Sequence, residues 1–90
     1  LSLVQVDAST GNLSVADGPV AFDGVLPEDA VFDADGDMIA IAVYHEKAER
    51  PQAGWISYMR VDRSSGAPKL LPTGIRTPTP RGAHDLAVVW

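Results

Sequence analysis

Arg81, His84 and Asp85 fall within one short stretch, Pro80-Arg81-Gly82-Ala83-His84-Asp85. A neutral imidazole can take a proton from water, a carboxyl can supply one, and a guanidinium can hold an anion, so these three are the candidate catalytic groups. Glu28, Asp29 and His45 are candidate substrate-binding residues, with Glu46 beside them. Adjacent strand residues point to opposite faces, so His84 and Asp85 share a pocket only if the strand begins after them; otherwise they are hydrogen-bonding groups at a strand entrance. No metal or cofactor site is expected. His45-Glu46-Lys47-Ala48-Glu49 starts like a helical zinc signature, but Glu49 stands where the second histidine is needed. Asp33-Ala34-Asp35-Gly36-Asp37 alternates carboxylates as calcium loops do, yet its glycine is fourth rather than sixth and Tyr44 replaces the bidentate glutamate, so an Asp-Gly hairpin turn explains it better. Asn12-Leu13-Ser14 is a formal glycosylation sequon, and the chain has neither a Gly-rich phosphate loop nor a nucleophile elbow.

The elements that must position these groups are strands. Helical periodicity is nearly absent, and short runs of Val, Ile and aromatic residues are bounded by Gly, Pro, Asp and Ser, the pattern of an antiparallel meander. The spacing predicts strands near 1–7, 12–16, 28–33, 38–44, 55–62, 68–71 and 84–90. Met38-Ile39-Ala40-Ile41-Ala42-Val43-Tyr44 is apolar on both faces and so belongs between two layers. Trp55-Ile56-Ser57-Tyr58-Met59-Arg60-Val61 mixes polar and apolar residues on both faces and belongs nearer an edge. His45 to Arg50 has helix-forming composition but is too short to stand alone before Pro51, and is read as a loop with at most a helical turn.

The chain also echoes itself. Leu1-Ser2-Leu3-Val4-Gln5-Val6-Asp7-Ala8-Ser9-Thr10-Gly11 aligns without gaps on Ile56-Ser57-Tyr58-Met59-Arg60-Val61-Asp62-Arg63-Ser64-Ser65-Gly66, with five identities at an offset of 55 residues. Each copy is a strand ending in Asp followed by a Ser/Thr-Gly turn. A weaker echo relates Leu26–Phe32 to Thr79–Val88. A repeat of roughly 40 to 50 residues with four short strands is the mark of propeller blades, and the charged insertion at 45–54 accounts for the longer offset here.

Three segments resemble a known family: Val6-Asp7-x-Ser9-Thr10-Gly11-x-Leu13, Leu26-Pro27-Glu28-Asp29-Ala30-Val31-Phe32-Asp33-Ala34-Asp35-Gly36-Asp37 and Pro80-Arg81-Gly82-Ala83-His84-Asp85-Leu86-Ala87-Val88. They are similar to blades of the seven-bladed propellers of the 6-phosphogluconolactonase-like (lactonase) family, in which a Pro-Arg opening leads through a Phe-x-x-Asp-Gly hairpin to a strand ending in Val-Asp and then Thr-Gly-x-Leu. The family often places a histidine soon after the Pro-Arg pair, and here Gly82 and Ala83 precede His84. The resemblance implies an all-β chain, 1–90, forming part of a propeller. Residues 1–16 would be the outer strands of one blade, 28–71 a complete four-stranded blade, and 84–90 the inner strand of the next. It places the connections 17–27, 45–54 and 72–83 at one end of the sheet and the tight turns 7–12, 33–37 and 62–67 at the other. The implied activity is hydrolysis or formation of a lactone of an acidic sugar or carboxylated organic acid. His84 or a carboxylate would activate water, and Arg81 would hold the acidic substrate and the oxyanion. A non-catalytic propeller that binds a ligand or protein through the same face, and a module that assembles through exposed sheet faces and edges, are the alternatives.

Composition narrows the partners. Ninety residues, 46% hydrophobic, without cysteine, describe one small soluble domain that relies on packing or on a neighbour. The longest apolar run is too short to cross a bilayer, and a net charge of -5 argues against nucleic acid. Residues 1–45 hold eight acids and no Lys or Arg, whereas 46–90 hold four acids and all seven bases, which is -8 against +3. Both ends look cut through strands. The expected partner is therefore the rest of a longer propeller chain or another copy in a homo-oligomer, together with a small acidic substrate.

Overall fold

The computed structural model describes residues 1–22, 24–45 and 53–89. Six strands follow one another: β1 (Leu3–Val6), β2 (Leu13–Asp17), β3 (Val25–Phe32), β4 (Met38–His45), β5 (Ala53–Asp62) and β6 (Lys69–Pro80). β1 and β2 form an antiparallel pair, and the other four form one sheet in the order β3-β4-β5-β6, with every neighbouring pair antiparallel. The all-β, antiparallel class expected from the sequence is what the chain adopts. Among the described residues no helix is long and apolar enough to cross a membrane.

Alternation along β4 and β5 builds the core. The pairs Ile39↔Met59, Ile41↔Ser57 and Val43↔Trp55 share one face, and Val61↔Leu70 extends that face into β6. Ile41, Val43 and Met59 are at most 1% exposed. Leu1, Leu3, Val20 and Phe22 pack against this face. Two polar ties hold the N-terminal segment there: the Leu70 N–H donates to Asp17 Oδ2 at 2.8 Å, and the terminal ammonium donates to the Val20 carbonyl at 3.0 Å. The opposite face carries Ala40, Ala42 and Tyr44, with Tyr58 and Ile56 across from the two alanines. Ala42 is fully buried there, and Ala40 and Tyr44 are half-buried.

The tight turns repeat one device. In the β1–β2 turn, Asp7 Oδ1 accepts the Ser9 hydroxyl and the N–H groups of Ser9 and Thr10. In the β3–β4 turn, Asp33 Oδ1 accepts the N–H groups of Asp37 and Met38, and in the β5–β6 turn Asp62 Oδ1 accepts that of Ser64. The hydrogen bonds from Ser9 hold the Asp7 carboxyl below the usual aspartate range, and those from Ser64 do the same for Asp62. Asp7 and Asp62 are matched positions of the internal echo, as are Gly11 and Gly66, both at positive φ. The aspartate-rich stretch 33–37 is thus a turn with occupied carboxylates: Asp37 binds the Arg63 guanidinium at 2.6 Å, and Arg63 also donates to the Gly36 carbonyl.

β5, expected nearer an edge, is an inner strand paired with β4 and β6 on its two sides, and three segments also differ from expectation. β6 continues to Pro80, so residues 72–80, expected as part of a long connection, are mostly strand. Three prolines fit because β6 is the sheet's edge, where a missing N–H leaves no neighbour unpaired. Between Ser57 and Met59 the register slips, and Thr73, Gly74 and Ile75 bulge from β6 opposite Tyr58. The bulge is pinned where the Thr73 hydroxyl donates to the Tyr58 carbonyl at 2.7 Å and accepts the Ile75 N–H at 3.1 Å. Residues 84–89, expected as part of a strand, form no ladder. The third difference is at β3, which begins at Val25 rather than 28 and carries a bulge between Pro27 and Asp29. The helical turn considered for 46–50 lies outside the described residues.

Gly24 is where the connection from β2 turns into β3. Its φ of 114° disfavours any side chain, and a Cβ there would overlap Val43 Cγ1 and come within 3.1 Å of the Trp55 ring. A Cβ on Gly66, with φ 94°, would meet nothing within 4 Å. Gly24→Ala is therefore expected to lower stability by about 2 kcal/mol or more, and Gly66→Ala by roughly 1 kcal/mol from backbone strain alone. Urea midpoints of the two variants check this ordering.

Candidate functional site

The irregular connections converge on one end of the four-stranded sheet. Val25 pairs with His45 there, at the start of β3 and the end of β4, and Ala53 pairs with Pro80 at the start of β5 and the end of β6. The chain leaving β6 bends back at once, because the Gly82 N–H donates to the Tyr44 carbonyl at 2.9 Å. That bond lays Arg81 over Tyr44, with the guanidinium carbon 5.5 Å from the ring centre. His45 meets the Tyr44 ring edge to face, with centroids 5.9 Å apart. A cation over an aromatic face is stabilised by the ring quadrupole, and the guanidinium edges stay available to an anion.

Asp29 organises the next stretch. Its Oδ1 accepts the Ala30 N–H and its Oδ2 the Leu86 N–H, each at 2.8 Å. The Leu86 N–H also reaches Asp85 Oδ1 at 3.0 Å, so two carboxylates converge on one donor. The hydrogen bond from Leu86, followed by that from Ala30, holds the Asp29 carboxyl below its ordinary value, with smaller contributions from Asp85 and from the charge of His84. His84 and Asp85 therefore both act on Asp29. The opposite-faces restriction does not apply to them, because 83–89 is not a strand.

Five of the six candidate residues separate into two groups joined by the 81–86 segment. His45 and Arg81 flank Tyr44, while Asp29, His84 and Asp85 cluster around the Leu86 amide. Glu28 lies at the β3 bulge and is exposed, without a described bond to either group. Asp29 and His45 are half-buried, and Arg81, His84 and Asp85 are exposed. Beside the bulge, Leu26 has a φ of 58°, a left-handed conformation that costs a non-glycine residue on the order of 1–2 kcal/mol. The arrangement offers one guanidinium, two imidazoles and three carboxylates on an open surface. It can bind a small carboxylate and exchange protons with it. Among the described residues no group of three or more His, Cys, Asp or Glu side chains is placed to hold a metal ion.

Sequence reasoning missed two participants. Tyr44 was assigned only to the core strand, yet it is the platform for Arg81. Arg76 was not singled out, yet its guanidinium lies 4.2 Å from the centre of the Trp55 ring. Arg76 edges an open groove of about 610 Å³ on the core face, lined by Phe22, Trp55, Ser57, Met59 and the bulge residues Gly74 and Ile75. Trp55 is part of the buried core and Phe22 packs against it, while Phe32 is 48% exposed.

No protein-family model, curated protein or solved structure matches this chain.

The Asp29 tether sets a pH dependence. A carboxyl whose folded pKa lies below its unfolded value contributes stability that is complete above the unfolded value and fades as pH falls through the folded one. The protection of the Leu86 amide, its exchange rate relative to the intrinsic rate at the same pH, is expected to hold at neutral pH and to fall in acid, below the ordinary aspartate range. Asp29→Asn is expected to weaken this protection at neutral pH and to flatten its acid response. Amide exchange followed by NMR from pH 6 to pH 2 reads both effects, and an unchanged Leu86 profile in the variant contradicts the tether.

Proposed function

We propose that the chain is part of a lactonase-like β-propeller and that the sheet end bearing Arg81, His84 and Asp85 handles a small acidic substrate, hydrolysing or forming its lactone ring. The observation that carries this reading is the gathering of Arg81, His84, Asp85, Asp29 and His45 at the end where the irregular connections lie, while the aspartate-led turns occupy the other end. Loops on a rigid sheet are where binding and catalytic groups concentrate. The sequential four-stranded antiparallel sheet, with a second hairpin tied across its face from Asp17 to Leu70, is compatible with stacked blades.

In this reading Arg81 holds the substrate carboxylate, its guanidinium steadied on Tyr44. His84 in its neutral form takes a proton from the attacking water. The water oxygen adds to the lactone carbonyl, the ring C–O bond then breaks, and the proton returns to the departing alkoxide. Asp29 is a positioning residue, since its carboxylate is committed to backbone N–H groups and fixes the loop that carries His84.

A second reading, a non-catalytic propeller that binds its ligand at the same end, is favoured by one observation: Arg81, His84 and Asp85 are exposed, so water is not excluded from the reacting position. A panel of carboxylated γ- and δ-lactones followed by pH-stat separates the two. Turnover by the wild-type chain that falls about 100-fold or more in His84→Ala supports the hydrolase. Binding of the ring-opened acids, lost in Arg81→Ala, without turnover of any lactone supports the binding module. Full activity in both variants removes the site from consideration.

A further inference from the structure

The internal echo matches residues that are buried in one copy with residues that are exposed in the other. Met59, Val61 and Leu70 line the covered face of β5 and β6, at 1%, 5% and 3% exposure. Val4 and Val6 hold the positions of Met59 and Val61 in the alignment, and Leu13, the first residue of β2, corresponds to Leu70 after the two-residue-longer β5–β6 turn. Their exposures are 45%, 60% and 68%. Register places Val4 opposite Val15 and Val6 opposite Leu13, so these four apolar side chains form one continuous face of the hairpin, and Val15 is 65% exposed. An uncovered apolar face of this kind marks an interaction surface.

The covered copy indicates what fits on it. Leu1 and Leu3 pack on the Met59–Val61–Leu70 face, and in the echo they correspond to Ile56 and Tyr58. Ile56 and Tyr58 lie on the outer face of the four-stranded sheet, with Arg60 and Leu71, and Leu71 is 37% exposed. The same chain therefore carries both the uncovered face and a surface equivalent to the one that covers such a face. Charge agrees: residues 1–22 contain Asp7 and Asp17 and no Lys or Arg, whereas the face bearing Ile56, Tyr58 and Leu71 carries Arg60 and Lys69 beside one acid, Asp62.

We propose that the Val4–Val6–Leu13–Val15 face is a docking surface for a second copy of this chain, which seats its Ile56–Tyr58–Leu71 face on it in a head-to-tail contact. The two surfaces differ, so the contact is heterologous and can propagate into a ring or a filament. Opposite charge around the two faces steers the approach and makes it salt-sensitive. The inference is independent of the chemistry proposed for the far end of the sheet.

Sedimentation velocity across the micromolar range tests it. The wild-type chain is expected to show a concentration-dependent mass above 9.5 kDa that falls as salt is raised. Val6→Glu and Leu71→Glu, both at exposed positions, are each expected to keep the wild-type circular dichroism and to weaken association at least tenfold. Mixed in equal amounts, they should recover a 1:1 dimer, because each variant retains the surface the other has lost. A wild-type chain that stays monomeric overturns the proposal, as does association unaffected by either substitution. Two monomeric variants that fail to pair on mixing overturn the head-to-tail geometry. A longer natural chain that is monomeric, and that Val6→Glu unfolds rather than dissociates, assigns the cover to the same chain and excludes the second copy.

Discussion

A β-sheet has two faces, and the stability of this chain depends on how each is covered. The Ile39–Ile41–Val43 face is closed by Leu1, Leu3, Val20 and Phe22, residues that precede the sheet in sequence and lie outside it. Each Ile, Val, Leu or Phe side chain fully taken out of water contributes roughly 1.5–3 kcal/mol, so the N-terminal cover rivals the strand ladders in importance. With no cysteine to cross-link it, the cover is held by packing and by single polar ties such as that from Asp17 to Leu70. The placement of every later element follows. β4 must be central because both its faces are apolar, and β6 can be an edge because its prolines need no partner.

Much of this was legible in the sequence because it is periodic or locally chemical. The strand at 38–44, apolar on both faces, identified the centre of the sheet. The Asp-Gly and Ser/Thr-Gly turns located the hairpins to within a residue or two. What escaped was decided by tertiary context. Pro72, Pro78 and Pro80 argue against a strand in isolation, but an edge position removes the objection, and β6 runs on to Pro80. The apolar run at 84–89 has strand composition, yet a strand exists only through a ladder, and these residues form none.

The candidate site was legible as a set of residue types and illegible as an arrangement. Arg81, His84 and Asp85 were identified by their chemistry and proximity. Their relation to one another depends on two backbone bonds that no spacing rule predicts, Gly82 to Tyr44 and Leu86 to Asp29. The first makes Tyr44 the support for Arg81. The second turns Asp29 from a candidate ligand contact into the group that anchors the loop.

Aspartate carries the same function throughout the molecule. Asp7, Asp33 and Asp62 close hairpins by accepting backbone N–H groups, Asp17 ties the hairpin to the sheet, and Asp29 ties the final segment to the sheet's end. A carboxylate used in this way gains from every donor it accepts and loses that gain when protonated. The acidic character of the first half is thus largely architectural, and only the carboxyl groups without backbone partners remain available to a ligand or a neighbouring surface. At the sheet end this leaves the basic groups Arg81 and His84 exposed while Asp29 is occupied. Arg81 is therefore the group there that can hold an anion, beside the exposed carboxylates of Glu28 and Asp85.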